Sequence, residues 1–264
     1  MRFFARGRFA RDWNSLGEQN PYGAILTGEA GALAPWDGEQ FFETGRRDAD
    51  RFIDTLSQLA PNVRRRRALD FGCGVGRVTR ALAAHFESVT GVDAAPAMIA
   101  QARGLNAECS NCDFVANPAG DLTQFQSGSF DVVYSRLVLQ HVPERAIRRY
   151  IPELIRVLSP SGILMFQLPE QLDSPIRKFL TAPVVGGRLK QAIPRVCVYG
   201  YRSIKYAYLA CVSDPHMRMS GVPYAEVQRM IERAHAQLVT AVPDTSHGIA
   251  SVRGFEYWVT GPRR

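Results

Sequence analysis

The sequence predicts a doubly wound α/β fold: a mostly parallel seven-stranded sheet with an antiparallel C-terminal strand and helices on both faces. Three observations lead there. Short apolar runs alternate with amphipathic stretches from Ala68 to Leu168, and strands separated by helices pair in parallel. A Gly-rich turn, Gly72-Cys73-Gly74-Val75-Gly76, joins the first run to the helical stretch after it. The last two runs, 237–242 and 255–260, have no helical pattern between them, so they pair antiparallel most easily.

Taken in order, residues 1–62 form an N-terminal arm or lid. It is loose and Gly-rich as far as Trp36, then helical over Gly38–Leu59 through Phe42, Phe52, Ile53, Leu56 and Leu59, with Pro61 ending the helix. Residues 63–170 form the α/β core. Its strands fall at 68–71, 88–92, 113–115, 130–135 and 163–168, its helices at 76–86, 96–103 and 143–158, and a turn at 159–162. Residues 171–221 are a basic insertion. Residues 222–264 complete the core with a helix over 224–236, Pro223 standing at its first turn, and the two final strands.

The chain has 264 residues, of which 46% are hydrophobic and 22% charged, enough for a large core without disulfides or structural metal. No run of about 18 apolar residues occurs, so no transmembrane helix is expected, and the first residues do not read as a signal peptide. Five cysteines, an odd number, imply reduced thiols and a cytoplasmic location. The net charge of +7 is localised: residues 174–213 hold seven Lys and Arg and no Asp or Glu. Such a field suits a small anionic acceptor, a phosphate-bearing lipid or a peripheral membrane surface.

The residues with chemical meaning begin at Asp70. Glycines at 72, 74 and 76 let the backbone turn sharply and approach a ligand without Cβ clashes. The helix start beyond adds unpaired N–H groups. A nicotinamide fingerprint needs Gly-x-Gly-x-x-Gly. Counted from Gly72 the sixth residue is Arg77, and counted from Gly74 it is Thr79, so that reading is set aside. Asp93 ends the second strand, where a carboxylate can accept both hydroxyls of a ribose. Its other reading is a cap on the helix that follows.

Together these residues resemble the class I S-adenosylmethionine-dependent methyltransferases. Asp70–Gly76 is similar to the family's first motif, which holds the methionine end of the cofactor, and Asp93 matches its ribose-binding acid. Ser129–Ser135 resembles the fourth-strand motif near the transferable methyl. Arg156–Gly162 resembles the turn before the fifth strand, with Ser161 where Gly is more usual. The resemblance covers residues 65–170, and 222–262 in layout. It implies S-adenosyl-L-methionine as cofactor, bound by Asp70, Gly72, Cys73, Gly74, Gly76, Asp93, Ala94, Met98, Asn117, Pro118 and Ser135. For the adenine amine, Asn117 stands where the family often has an acid, and Asp121 competes with it. Phe41 and Phe42 are placed to fold over the cofactor, and Arg46 or Arg77 to face its carboxylate.

The acceptor side is less defined. His141 follows the fourth strand at the carboxyl edge of the sheet, where it can take a proton from a hydroxyl or amine. It is the candidate catalytic residue, with Tyr134 and Tyr201 behind it. Cys109-Ser110-Asn111-Cys112 has no second Cys pair for zinc, so no metal is expected. The implied activity is direct methyl transfer to a small-molecule acceptor, anionic or lipid-linked. Two alternatives stand beside it. A nucleic-acid methyltransferase is favoured by the charge, but Ser135-Arg136-Leu137-Val138 replaces the Asn/Asp-Pro-Pro-aromatic run of base-amine enzymes. A non-catalytic cofactor-binding protein is the other.

Overall fold

The computed structural model describes residues 8–26, 36–170, 219–244 and 253–262. The arm comprises α1 (Arg8–Gln19), α2 (Pro21–Ile25) and α3 (Gly38–Leu59). The core follows as β1 (Arg67–Phe71), α4 (Arg77–Leu82), β2 (Ser88–Asp93), α5 (Pro96–Leu105), β3 (Cys112–Ala116), β4 (Phe130–Ser135), α6 (Glu144–Val157) and β5 (Leu158–Pro169). The C-terminal part adds α7 (Tyr224–Arg233), β6 (Leu238–Asp244) and β7 (Gly254–Thr260). The seven strands lie in the order β3-β2-β1-β4-β5-β7-β6. β7 alone is antiparallel, wedged between β5 and β6.

Side-chain alternation along the strands builds two cores. Ala68, Val132, Tyr134, Met165 and Trp258 pack under Phe52, Leu56 and Leu82 of α3 and α4. Leu69, Val133, Leu164 and Phe166 pack under Ile147, Ile151 and Leu154 of α6 and Val227 of α7. α3 starts at the predicted residue because Asp37 caps it, accepting from Glu39 N–H at 2.7 Å and Gln40 N–H at 3.4 Å.

Four expectations are corrected. The segment before Trp36 is not loose over its described part: α1 docks on α5, with Asn14 accepting from Ala97 N–H at 2.9 Å. α4 stops at Leu82 instead of Phe86, because the Ala83 and Phe86 carbonyls both accept from the Asn111 amide, at 2.9 and 3.0 Å. The 159–162 turn lies inside β5 as a bulge, where pairing jumps from Phe130↔Leu158 to Val132↔Ile163. Cys109 and Cys112 are joined in a disulfide rather than left as thiols. Their turn closes with Cys112 N–H donating to the Cys109 carbonyl, which holds the Cα atoms 5.4 Å apart, within disulfide range. Of the other cysteines, Cys73 is free and buried, and 197 and 211 lie outside the described residues. Among the described residues no helix is long and apolar enough to cross a membrane.

Candidate active site

β1 and β4 are neighbours, and their connections leave on opposite faces of the sheet, so a crevice opens at their carboxyl ends. It holds a cavity lined by Asp70, Gly72, Cys73, Gly74, Asp93, Ala94, Met98, Asn117 and His141, with Arg77, Tyr134 and Arg136. Nine of the sequence-predicted site residues therefore meet in one place. Three do not line it. Gly76 sits behind, at the start of α4 against Asn106 and Phe114. Pro118 is exposed beyond Asn117. Ser135 is fully buried on β4, its hydroxyl without a partner among the described residues.

The floor is backbone. Gly72 has φ +82°, and a Cβ there would lie 2.3 Å from Val138. Gly74 has φ +54° and faces Ile25 of the arm. Only glycine holds such angles without strain, and the bare backbone brings N–H groups to the ligand. Asp93 does not cap α5, whose N-cap is Ala95 with no side-chain bond; its carboxylate instead ties the Gly-rich turn to the end of β2. One oxygen accepts from Gly74 N–H at 3.0 Å, the other from Ala95 N–H at 2.8 Å, and each keeps a lone pair for a further donor. Burial pushes its pKa up, against those bonds. Asn117 donates its amide to the Asp121 carbonyl at 2.7 Å, a bond that uses the amide nitrogen and not the oxygen. The Asp121 carboxylate turns away to Thr123, and it does not line the cavity.

Asp70 is buried and accepts from Thr79 Oγ1 at 2.6 Å. Burial raises its pKa to about 6, with Thr79 and Arg77 pulling the other way. His141 sits in a one-turn helix, its ring edge-on to Trp13 at 5.4 Å. Its Nε2 lies 3.1 Å from the Gln140 amide, and its Nδ1 has no partner among the described residues. Burial lowers its pKa to about 4, so it is neutral at pH 7.

The roof departs from expectation. Phe41 is stacked on Tyr22 at 4.4 Å, Phe42 lies under Arg80, and Arg46 pairs with Glu43 on the surface. None of the three lines the cavity. Trp13, Ala24 and Ile25 cover it instead, from the stretch read as loose. Arg136 was likewise not singled out. After it the chain turns left-handed at Leu137, φ +60°, a strained angle typical of functional sites. Arg136 donates to Asp48 at 3.0 Å, and Arg77 pairs with the same carboxylate at 2.8 Å. Only a non-glycine left-handed residue marks this turn, and sequence gives no sign of it.

Residues 69–166 match the family described as a methyltransferase domain. Over that stretch the chain is similar to methyltransferases. The cavity fits S-adenosylmethionine on its own features: a floor of bare glycine backbone and a carboxylate with lone pairs at a strand end. The chain is also similar to curated proteins named as methyltransferases. A trans-aconitate 2-methyltransferase of Streptomyces avermitilis is 32% identical over 61% of this chain and 61% of its own length. One from Methylobacterium radiotolerans is 34% identical over 64% and 62%. The chain thus spans about three-fifths of the length of these relatives. One from an Enterobacter is 28% identical over 82% of this chain and 93% of its own. Among solved structures, a magnesium protoporphyrin IX methyltransferase of Synechocystis with bound S-adenosylhomocysteine has a TM-score of 0.61 at 15% identity, covering 96% of this chain and 97% of that one. A [4+2]-cyclase shares the fold at a TM-score of 0.54 and 16% identity, with 81% of each chain covered, so fold alone does not fix the reaction.

Proposed function

We propose that this protein binds S-adenosylmethionine and transfers its methyl group to a small organic acid. The observation that carries the acceptor class is the charge beside the cavity: Arg77 and Arg136, with side chains 8% and 10% exposed, share the single carboxylate of Asp48. Asp70 and Asp93 lie elsewhere in the lining, so the two guanidiniums side by side make this one wall the place that favours an anion. Relatives named for trans-aconitate support the same class.

The cofactor, when bound, supplies a methyl already activated on a sulfonium sulfur. Asp93 would hold the ribose hydroxyls, Asn117 the adenine amine, the Gly72–Gly74 backbone the methionine end, and Arg77 its carboxylate. Asp70 would face the cationic end. Trp13 and Ile25 exclude water from above, and alignment supplies much of the rate. A carboxylate acceptor arrives ionised and needs no base.

The basic insertion, 171–221, serves as the acceptor cap. Its interior lies outside the described residues, as does Tyr201. Its two ends support the role: Val222 N–H donates to the Pro169 carbonyl at 3.2 Å, and Ser220 N–H to the Gln140 carbonyl at 2.6 Å, beside His141. The arm at 1–62 as lid, and the split at 63, 171 and 222, belong to the same proposal, as does a cytoplasmic location.

A hydroxyl acceptor is the second reading, favoured by a neutral His141 on the cavity wall. A relative named as a ubiquinone biosynthesis O-methyltransferase, from Bordetella avium, is 29% identical. There His141 would take the proton. Incubation with methyl-labelled S-adenosylmethionine and a panel of small acids and phenols, read by mass spectrometry, separates the two. A labelled methyl ester is expected. Label only on phenols would move the conclusion to the second reading, and no transfer at all would reject both.

A further inference from the structure

Behind the cofactor cavity lies a second one of about 270 Å³, bounded by α3, the ends of β4 and β5, and the paired strands β6 and β7. Tyr134 and Arg136 stand in the walls of both. They are two residues apart on β4 and its extension, so they face the same side of the sheet. We propose that this second cavity is the acceptor chamber and that Tyr134 and Arg136 grip one carboxylate of a di- or tricarboxylic acid at the shared wall. The inference rests on the acid-acceptor reading above.

Two orphaned donors point there. The Arg136 side chain is nine-tenths buried, and its Nε–H has no partner among the described residues, while its Nη1 is spent on Asp48. The Tyr134 hydroxyl is buried and also lacks a partner among them. Buried polar groups are almost always satisfied, and one carboxylate, with four lone-pair sites, satisfies both. Burial, and then the nearby Asp48 charge, push the Tyr134 pKa up. Its phenol therefore stays protonated as a donor and is no base. Phe52 stacks edge-on against its ring at 5.0 Å and fixes its direction.

Charge divides the chamber. Arg51 and Arg136 stand with Asp48 on one side, and the opposite wall holds Glu256, which accepts from the Trp258 indole at 2.9 Å, and Asp244. The acid would therefore bind with one carboxylate at the Tyr134–Arg136 wall and its other carboxylates toward the cofactor cavity, away from the like charges of Asp244 and Glu256. A gripped carboxylate leaves a second one for methylation, so monocarboxylic acids should be poor acceptors.

The test is calorimetric titration of trans-aconitate into protein saturated with S-adenosylhomocysteine. Arg136→Gln should weaken trans-aconitate binding by about 30-fold and Tyr134→Phe by about 5-fold, the sizes of a lost charged and a lost neutral hydrogen bond. Arg136→Lys should recover part of the loss, and S-adenosylhomocysteine affinity should stay unchanged in all three. Unchanged trans-aconitate affinity in both Arg136→Gln and Tyr134→Phe would overturn the inference while leaving the acid-acceptor reading intact. So would a loss confined to S-adenosylhomocysteine, which would give Arg136 to the cofactor. A wild-type protein that binds no polycarboxylic acid yet methylates a phenol would overturn both.

Discussion

Gly72, Gly74 and Asp93, on the cofactor side of the cavity, come from the ends of two adjacent strands, 22 residues of chain in all. Asp48, Tyr134, Arg136 and Glu256, on the other side, come from α3, the end of β4 and β7. The first group is local: backbone N–H groups, positive φ angles and one carboxylate bonded to its own turn. The second exists only after the sheet has formed, because a buried ion-pair cluster joins residue 48 to residues 77 and 136. A site for a fixed ligand can be written into one turn. A site for a variable one is assembled from distant side chains, which can change without disturbing the sheet.

Breaking the long-range side should have the largest effect. Asp48→Ala strands two buried arginines, and removal of one partner of a buried pair costs about 3–5 kcal/mol. Urea unfolding should show that loss. If stability were unchanged, the cluster would not hold α3 to the sheet. Asp93→Ala attacks the local side. Losing two hydroxyl contacts to a charged acceptor, at about 1.5 kcal/mol or more each, should weaken S-adenosylmethionine binding about 100-fold by calorimetry. Equal affinity would leave Asp93 only its bonds to the Gly74 and Ala95 N–H groups. Gly72→Ala should cost about 2 kcal/mol of stability, since its φ is +82° and Val138 blocks the new Cβ.

A smaller effect should appear with pH. Asp70 has a pKa of about 6 in the protein without ligand. A cationic cofactor end beside it favours the ionised form and lowers that pKa on binding. Affinity should then be full above pH 6 and fall below it, by up to about tenfold per pH unit until the bound-state pKa is reached. A flat profile from pH 7 to 5 would remove Asp70 from the cationic end. Smallest of all, Cys109→Ser with Cys112→Ser should leave cofactor affinity unchanged, because the pair closes the turn before β3, at the amino end of the strand and away from the cavity.

The same contrast explains what could be read from sequence. The parallel core strands and the antiparallel last strand followed from apolar periodicity and a missing helix between 242 and 255. The floor followed from glycine spacing and a strand-terminal acid. The roof did not. Trp13 and Ile25 reach the cavity through the docking of α1 on α5, and nothing in their neighbours' sequence distinguishes them from Phe41 and Phe42, which turn inward instead. Arg136 was hidden for a related reason. It ends an ordinary strand, and its partner lies 88 positions away. The cysteine pair was misjudged because a four-residue spacing says nothing about whether the turn between closes.

The most direct test of the central claim is a crystal structure with S-adenosylhomocysteine. The account requires its ribose hydroxyls on the Asp93 carboxylate, its adenine beside Asn117 and its homocysteine end over Gly72–Gly74. A ligand lying elsewhere, or a ribose that makes no contact with Asp93, would contradict it.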